Sequence, residues 1–402
     1  MRVNMHDNFN CFFLMDNVIQ DYAWGSKTSI KALFGIENPE NKPQAEMWMG
    51  THGNGCSKIE VAGKSVLLSE FINTDKNAIL GAHTALNFSQ LPYLFKILAA
   101  EKALSIQVHP TKEQAEIGFA KEQSQNIALT ANNRNYKDAN HKPELIYALT
   151  SYQAMNGFRA FNDIVNTFKR LDIAELRPLI TYFQKHLNAQ GLAHFFMGIL
   201  ALQGGVKEAA IEKLLAFYNA HPDAENAELI ATLSKQYKND VGLFCPLILN
   251  VCTLKPGEAM FLNACTPHAY IKGTGLEIMA NSDNVIRAGL TPKHMDLEEL
   301  KICTRFEPIA FNDLLLAPNT VDGAFDYPIP VADFKFSIYH NQAIRELTIH
   351  SAEILLVLEG ELVLKQENSQ TLLIKQGDSV FIPAYTKKYS VHGTGSFARA
   401  YN

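Results

Sequence analysis

Gln107 and His109 are the first pair of residues whose types and spacing suggest chemistry. They lie two positions apart in an apolar run, residues 103–109, that predicts a β-strand. Side chains two positions apart on a strand point to the same face, so an amide oxygen and an imidazole nitrogen can reach one point in space. A buried glutamine and histidine are also common as hydrogen-bonded core residues, so the pair alone does not establish a binding site.

Two further polar segments carry a carboxylate and a second imidazole. Residues 138–144 contain Pro143, which fixes the backbone immediately before Glu144, and residues 267–270 contain His268. Taken alone, the first of these segments could be a polar loop that leads into a strand. Two histidines, one glutamate and one glutamine together form a mixed nitrogen and oxygen site for a divalent ion, and zinc is the ion that this donor set favours.

Four charged residues interrupt an otherwise apolar segment, residues 275–293. They are Glu277, Asp283, Arg287 and Lys293. Charged groups are costly to bury unless they are paired or take part in function. The segment therefore predicts either structural ion pairs among these four side chains or a role for them at a polar site.

The composition is that of an ordinary soluble globular protein. The 402 residues are 47% hydrophobic and 19% charged, with a formal net charge of −5 and no long run of Lys and Arg. These values predict no nucleic-acid or membrane surface. The six cysteines form no closely spaced pair, which is typical of reduced thiols in a cytoplasmic protein. The apolar patch at residues 11–15 is too short for a signal sequence or a membrane span.

The pattern of apolar residues changes twice along the chain. Residues 1–159 carry short apolar runs separated by Gly, Pro and Asn, which is typical of β-strands with interspersed helices. Residues 160–242 have apolar side chains at helical spacing and predict a helical insertion, whose first helix would be capped by Asn162 or Asp163. Strand patterns resume in residues 243–251.

A short internal repeat relates the middle of the chain to its C-terminal part. Residues 257–264 and 377–384 each begin with Gly and an acidic residue and end with Ala, about 120 residues apart. The second copy lies among short strand patterns with Gly turns, which resemble the cupin signature and predict a small barrel or jelly roll. His268 follows the first copy, whereas Lys388 is the equivalent residue after the second. The second copy is therefore predicted to be structural, without a metal ligand.

Together these segments resemble type I mannose-6-phosphate isomerase, the zinc-dependent phosphomannose isomerase family of the cupin superfamily. The motifs that carry the resemblance are residues 22–26, 45–52, 91–96, 104–110, 138–144, 267–270 and 277–293. The C-terminal part matches only loosely. The resemblance implies a mainly β fold with two cupin-like jelly-roll barrels and an α-helical insertion domain. We expect a catalytic domain in residues 1–159 and 243–315, the insertion in residues 160–242, and a smaller barrel in residues 316–402.

The resemblance also implies roles for individual residues. It places the ligands of one zinc ion per chain at Gln107, His109, Glu144 and His268, and a catalytic arginine at Arg287. The further candidates are Lys142 and His141 for catalysis, and Trp24, Glu46, Lys96, Ser105, Tyr270, Glu277, Asp283 and Lys293 for substrate binding. One departure from the family pattern is Cys265, which stands where a small residue is expected.

The chemistry of an aldose–ketose isomerisation agrees with these residue types. Moving a hydrogen between C1 and C2 needs an electrophile, a base and an anchor for the phosphate. Two neutral histidines, a neutral glutamine and one glutamate would leave a zinc site with a net charge of about +1, which suits a Lewis acid. Lys142, Glu277 and His141 are alternative bases, and a Lys beside zinc and Arg should have a lowered pKa. Candidate phosphate anchors are Ser105, Lys96 and Lys293.

The expected activity is the interconversion of D-mannose 6-phosphate and D-fructose 6-phosphate through an enediolate, in a cytoplasmic monomer. An Fe(II) cupin oxygenase would share histidine ligands, but a glutamine ligand and Lys and Arg side chains fit a phosphosugar better. A non-catalytic sugar-binding or regulatory cupin would be expected to lose a ligand or Arg287, and all five residues are present. Transfer of the hydrogen as a proton or as a hydride, and a catabolic or biosynthetic role, are alternatives that the sequence does not separate.

Overall fold

The computed structural model describes residues 10–366 and 370–402 of the chain. The chain divides into two compact units. The first consists of Met1–Ala99, Thr274–Asn281 and Leu316–Asn402, and the second of Ala100–Gly273 and Ser282–Leu315. The N-terminal stretch contains the strands β1 (Phe13–Asp16), β2 (Val18–Gln20), β3 (Glu46–Met49), β4 (Lys58–Val61), β5 (Lys64–Leu67) and β6 (Tyr93–Ala100). Its helices are α1 (Ser29–Phe34), α2 (Leu68–Thr74), α3 (Lys76–Leu80) and α4 (Ala82–Asn87).

The middle of the chain carries the predicted metal ligands and the predicted helical insertion. Its strands are β7 (Ile106–Val108), β8 (Glu144–Ala148), β9 (Tyr152–Phe158), β10 (Leu249–Leu254), β11 (Ala259–Leu262), β12 (His268–Ala280) and β13 (Ile286–Gly289). Its helices are α5 (Lys112–Ser124), α6 (Phe161–Leu171), α7 (Arg177–Lys185), α8 (Ala189–Leu200), α9 (Gly204–Ala220), α10 (Ala227–Gln236) and α11 (Leu297–Cys303). Within the second unit, the strand order β10–β9–β12–β7–β13 positions the candidate site.

The predicted helical insertion is confirmed, because the helices α6 to α10 follow one another between β9 and β10. The predicted cap of its first helix is wrong. α6 begins at Phe161 with Ala160 as its N-cap and no side-chain cap, so Asn162 and Asp163 already lie inside the first turn. The ring of Phe161 packs edge-on against Phe183 of α7, with ring centroids 5.8 Å apart. We attribute the earlier start to this packing, which local capping preferences do not describe. In the described chain, no helix has both the length and the apolar character needed to cross a membrane.

Two predicted strands are shorter than expected. The strand predicted for residues 103–109 is limited to β7, so His109 lies just beyond its end. Most of the strand predicted for residues 243–251 is instead the 3₁₀ helix Val241–Leu247, and β10 starts after it. Asp240 starts this helix, since its carboxylate accepts a hydrogen bond of 2.7 Å from the backbone N–H of Gly242. Pro246 lacks the N–H that a paired strand would need there.

The C-terminal stretch is entirely β apart from short 3₁₀ turns within the described residues. Its strands are β14 (Asn319–Val321), β15 (Ala324–Asp326), β16 (Lys335–Asn341), β17 (Arg345–Thr348), β18 (Glu353–Lys365), β19 (Thr371–Lys375), β20 (Ser379–Ile382) and β21 (Lys388–Tyr401). A buried ion pair joins β18 to β21, where Arg399 Nε donates to Glu353 at 2.7 Å and the Tyr389 hydroxyl donates to the same carboxylate at 2.6 Å. Because every partner is satisfied, this pair is structural.

The internal repeat has the same local structure in both copies. Gly257 and Gly377 both have left-handed φ values, 93° and 90°. The acidic residue after each glycine accepts a backbone hydrogen bond from three positions earlier, at 2.8 Å for Glu258 and 2.9 Å for Asp378. A four-residue strand follows each turn, β11 in the first copy and β20 in the second. The repeat that the sequence predicts is therefore a repeated turn and strand.

Candidate metal centre

Three side chains from separate segments meet in the second unit. Nε2 of His109 lies 3.5 Å from Oε1 of Glu144, and Nε2 of His268 lies 3.5 Å from Oε2 of the same carboxylate. One donor atom from each residue lies within 4.8 Å of the other two, and at most 2% of each residue is exposed. Ligands of a tetrahedral ion with bonds of about 2 Å lie about 3.3 Å apart. The spacing therefore suits three ligands of one metal ion.

The hydrogen bonding of these atoms also fits a cation. Nε2 of His109, Nε2 of His268 and Oε2 of Glu144 are buried and have no hydrogen-bond partner within the described residues. Buried polar atoms in folded proteins nearly always have a partner. Three unpartnered donor atoms facing one another are what a metal ion between them would satisfy, so the residues present fit a metal.

The opposite nitrogen of each imidazole is held by the backbone. Nδ1 of His109 lies 2.7 Å from the carbonyl oxygen of Asn284, and Nδ1 of His268 lies 2.9 Å from that of Thr266. A carbonyl can only accept, so each Nδ1 carries the proton and donates it. The lone pair of each ring is therefore on Nε2, toward Glu144, which is the arrangement that orients histidine ligands in metal sites.

Lys142 and burial set the protonation states of this cluster. The ammonium of Lys142 donates to Oε1 of Glu144 at 2.5 Å. Burial alone would raise the pKa of Glu144, but the neighbouring positive charge of Lys142 outweighs it and holds that pKa well below its usual value. Burial, reinforced by the charge of Lys142, lowers the pKa of His109 to about 4. At neutral pH the carboxylate is therefore ionised and His109 is neutral, as metal ligands must be.

Gln107 and Arg287 lie in one row with His268. Gln107 of β7 is directly opposite His268 of β12 on one side and Arg287 of β13 on the other. Directly opposite residues of antiparallel strands point to the same face, so the amide and the guanidinium lie on the face that carries His268. Arg287 is half-buried, and burial lowers its pKa. In the part of the chain that the structure describes, its guanidinium makes no hydrogen bond or ion pair, which leaves its donors available to a ligand.

A polar network that the sequence analysis did not identify lies behind His109. The Asp138 carboxylate accepts hydrogen bonds from the Ser282 hydroxyl at 2.9 Å and the backbone N–H of Asp283 at 2.8 Å. The side-chain amide of Asn284 donates to the backbone oxygen of Asp138 at 2.8 Å. Asp138 thereby fixes the segment whose carbonyl oxygen orients His109. The dense polar composition of residues 138–144 and 281–284 was the available signal.

Cys265, the departure from the expected pattern, connects the segments that carry His109 and His268. Its φ of 64° is left-handed, where a small residue is favoured and a cysteine is strained. Its backbone N–H donates to the carbonyl oxygen of His109 at 2.8 Å, three positions before His268. The backbone geometry therefore explains why a small residue is expected there, and the hydrogen bond ties the end of β7 to the start of β12.

A second buried cluster lies in the first unit. The Lys96 ammonium donates to Glu277 at 2.7 Å and lies 3.6 Å from a carboxylate oxygen of Glu46. Glu46 also accepts from the indole N–H of Trp48 at 2.7 Å, and the Lys96 charge lies 5.4 Å from the centre of the Trp48 ring. Two carboxylates thus surround the lysine that the sequence analysis proposed for phosphate. Trp48 is the member of the cluster that the sequence analysis did not name.

The other predicted residues are in varied environments. Tyr270 is buried two positions after His268 on β12, with its ring edge-on to Tyr152 at 5.5 Å. Trp24, in the first unit, stacks on Tyr22 at 5.8 Å. Ser105 and His141 are partly buried, whereas Asp283 and Lys293 are exposed. Their roles stay predictions.

Comparison with known proteins identifies the family of this chain. Residues 12–161 match the catalytic domain of phosphomannose isomerase type I, residues 172–249 its helical insertion domain, and residues 324–402 the cupin domain of mannose-6-phosphate isomerase. The mannose-6-phosphate isomerase of Salmonella typhimurium is 48% identical over 389 residues, which cover 96% of this chain and 98% of that protein. The chain belongs to the type I phosphomannose isomerase family.

More distant relatives and solved structures agree with this membership. The mannose-6-phosphate isomerase of Homo sapiens is 34% identical over 413 residues, covering 92% of this chain and 93% of that protein. A crystal structure of a mannose 6-phosphate isomerase in its zinc-bound holo form superposes with a TM-score of 0.93 at 47% identity. The match covers 98% of this chain and all of that one. The family predicted from the motifs is confirmed, and so is a mainly β fold with a cupin domain and a helical insertion domain.

Proposed function

We propose that this chain is a zinc-dependent isomerase that interconverts D-mannose 6-phosphate and D-fructose 6-phosphate through an enediolate. The observation that carries the proposal is the cluster of three buried side-chain atoms on His109, Glu144 and His268. Within the described residues these atoms have no hydrogen-bond partner, and Arg287, in the same row of strands as His268, makes no ion pair. Family membership and the zinc bound in a related crystal structure support it. A purely structural cluster would not leave three buried donor atoms without hydrogen bonds.

His109, Glu144 and His268 would hold the zinc ion, with Gln107 as the fourth ligand. The glutamine amide is neutral, so Glu144 provides the only negative charge among these ligands. When bound, the ion would polarise a carbonyl or hydroxyl oxygen of the sugar, as a Lewis acid does. The backbone carbonyls of Asn284 and Thr266 would keep the imidazoles of His109 and His268 oriented during the reaction.

The remaining catalytic roles are stabilisation of negative charge and transfer of protons. Arg287 would stabilise the negative charge that develops as the enediolate forms, because its donors are not used elsewhere within the described residues. Lys142, whose ammonium donates to Glu144, is one candidate base and would have to give up a proton before it could accept one from the sugar. Glu277 and His141 are the other candidates, and His141 could also open the sugar ring.

We also propose the finer organisation that the resemblance implies. It consists of two cupin-like jelly-roll barrels, one catalytic in residues 1–159 and 243–315 and one structural in residues 316–402, with the insertion in residues 160–242. The enzyme would be a cytoplasmic monomer whose partner is a small sugar phosphate. Substrate-binding roles are proposed for Trp24, Glu46, Lys96, Ser105, Tyr270, Glu277, Asp283 and Lys293.

The proposed activity is tested on the purified protein with D-mannose 6-phosphate, with formation of D-fructose 6-phosphate followed in a coupled assay. We expect turnover, loss of turnover after chelation, and its recovery when zinc is added back. Elemental analysis should give one zinc per chain. Oxygen consumption with iron bound would instead indicate the oxygenase alternative. A zinc-loaded protein that binds sugar phosphate without converting it would indicate the binding-protein alternative.

The network behind His109 should affect metal binding without touching the ion. Asp138→Ala removes the carboxylate that holds Ser282 and Asp283, so the carbonyl that orients His109 loses its support. Loss of such a supporting group typically weakens metal binding about 10- to 100-fold. Zinc affinity is measured by competition with a chelator. The exposed Asp163→Ala serves as the matched control, and equal zinc affinity in the two variants would contradict the role of Asp138.

Lys388 tests the prediction that the second copy of the repeat is structural. Lys388 begins β21 as His268 begins β12, but it is exposed and ion-paired with Glu346 at 2.7 Å. Lys388→Ala should leave kcat/KM within about threefold, which is less than ~0.7 kcal/mol of transition-state stabilisation. Zinc content should stay at one per chain. A second bound metal in the wild type, or a large loss of turnover in a folded variant, would show that the C-terminal domain takes part in the chemistry.

A further inference from the structure

Asn156 extends the row formed by His268, Gln107 and Arg287 to a fourth strand. On β9, Asn156 is directly opposite His268 of β12, on the side away from Gln107. Directly opposite residues of antiparallel strands point to the same face, with Cβ atoms about 5 Å apart. The Asn156 side chain is therefore next to a metal ligand and on the face of the sheet that carries the site.

The side-chain amide of Asn156 has an unusual environment. Only 3% of the residue is exposed, and its Oδ1 is buried without a hydrogen-bond partner within the described residues. An unpaired buried carbonyl destabilises a fold, so its presence requires an explanation. Ala154, two positions earlier on the same face, shows that this strand does not need polar side chains to pack there. The amide therefore indicates a ligand.

A β-bulge fixes the backbone that carries this amide. Asn156 and Gly157 of β9 together stand opposite the single residue Asn250 of β10, and Gly157 has a left-handed φ of 67°. The side-chain amide of Asn250 donates to the carbonyl oxygens of Asn156 at 3.3 Å and Phe158 at 3.1 Å. A Cβ on Gly157 would lie 2.4 Å from Cδ1 of Ile309. Bulges are common beside active sites, where they redirect a side chain.

We propose that Asn156 is a substrate-binding residue whose Oδ1 accepts a hydrogen bond from a hydroxyl group of the sugar phosphate. The inference rests on the proposed function, because the ligand is the substrate of that reaction. Oδ1 is only an acceptor, so its partner must bring a donor. A phosphate dianion offers acceptors alone, whereas the polyol part of the substrate carries a hydroxyl donor on successive carbons. The contact therefore binds a hydroxyl group on the carbon chain of the sugar near His268, and other groups bind the phosphate.

The test replaces the amide by an aliphatic side chain with the same branching and number of heavy atoms, Asn156→Leu, in the zinc-loaded enzyme. The probe is D-mannitol 6-phosphate, an open-chain polyol phosphate that has no carbonyl and cannot isomerise. Calorimetric titration should show binding weakened about three- to tenfold, the range for one lost neutral hydrogen bond. Zinc content should stay at one per chain. Turnover of D-mannose 6-phosphate should fall by a similar factor in kcat/KM.

Deoxy analogues of the probe identify the hydroxyl. When the hydroxyl that Asn156 contacts is absent, wild type and variant should bind the analogue equally, because neither can make the hydrogen bond. Every other monodeoxy analogue should keep the full difference. A difference that persists for every analogue, or wild-type affinity for the parent probe, overturns the proposal. Loss of zinc from the variant also overturns it, since Asn156 would then act on the metal site.

A matched control lies on the same strand. Gln153→Leu makes the same change from amide to aliphatic side chain, but three positions away on β9, on the opposite face and partly exposed. Its probe affinity should be that of wild type. If Asn156→Leu does not give a folded protein by circular dichroism, Asn156→Ala is put through the same titrations with the same criteria. A wild type without isomerase turnover would refute the proposed function, whereas a turnover-competent wild type matched by Asn156→Leu refutes only the role of Asn156.

Discussion

His109→Ala and His268→Ala should each lose the bound zinc and the isomerase activity together. Each substitution removes one of three buried, unpartnered side-chain atoms of the described residues that could bind one metal ion, and alanine supplies no replacement. Loss of a polarising metal costs several kcal/mol of transition-state stabilisation, so kcat should fall by at least about 10³-fold. Elemental analysis and the coupled assay on the same preparations measure both effects.

The control for this pair is another histidine in the same unit. His194 is exposed on helix α8, whereas His109, Glu144 and His268 are buried and lie in or beside β-strands. His194→Ala should keep one zinc per chain and wild-type turnover. If both ligand variants retained full zinc content, the assignment of His109 and His268 as ligands would be wrong, whatever happened to the activity.

Arg287→Ala should reduce kcat by roughly 10²-fold or more while the thermal stability changes little. Removing a positioned donor to developing negative charge typically has an effect of about this size. Stability should be spared because the half-buried guanidinium makes no hydrogen bond or ion pair within the described residues. Arg287→Lys should recover part of the loss, since it keeps the charge but not the fork of donors.

Parallel melting curves separate this role from a structural one. The comparison is Arg177→Ala, which breaks an exposed ion pair with Asp172 on the insertion and should affect neither turnover nor, appreciably, stability. A collapsed melting temperature in Arg287→Ala, together with normal turnover by the fraction that remains folded, would show that Arg287 stabilises the fold rather than the transition state.

The sequence was sufficient to predict that His109, Glu144 and His268 meet, because these residues differ chemically from their surroundings. His109, Glu144 and His268 are polar residues within or beside apolar strands, and each lies in a distinctive motif. No sequence pattern marks the carbonyl oxygen of Asn284, because every residue has a carbonyl and only the fold decides where it points. Asn156 is not marked either, because its position next to His268 depends on strand register and on a bulge.

Local patterns predicted secondary structure well where packing agreed with them and poorly where it did not. The spacing of apolar residues in α6 indicated a helix correctly, but the helix begins at Phe161, whose ring packs against Phe183, and not after the expected cap. Residues 243–251 are apolar enough for a buried strand. Asp240 and Pro246 nevertheless favour a 3₁₀ helix there, because one satisfies the first N–H and the other cannot join a strand ladder.

The repeated turn gives this chain an internal standard for separating folding from chemistry. Both copies keep the glycine with positive φ and the carboxylate bonded to the backbone, but only the first is followed by a histidine, His268, which is a predicted zinc ligand. We attribute the features that both copies share to the folding of the turn. The histidine, which only the first copy has, is not needed for that turn. The loss of folding stability caused by substituting Asp378 therefore measures how much such a turn contributes to the fold. If the same substitution at Glu258 has a larger effect on the protein, we attribute the difference to β11, whose Leu262 lies opposite Glu144.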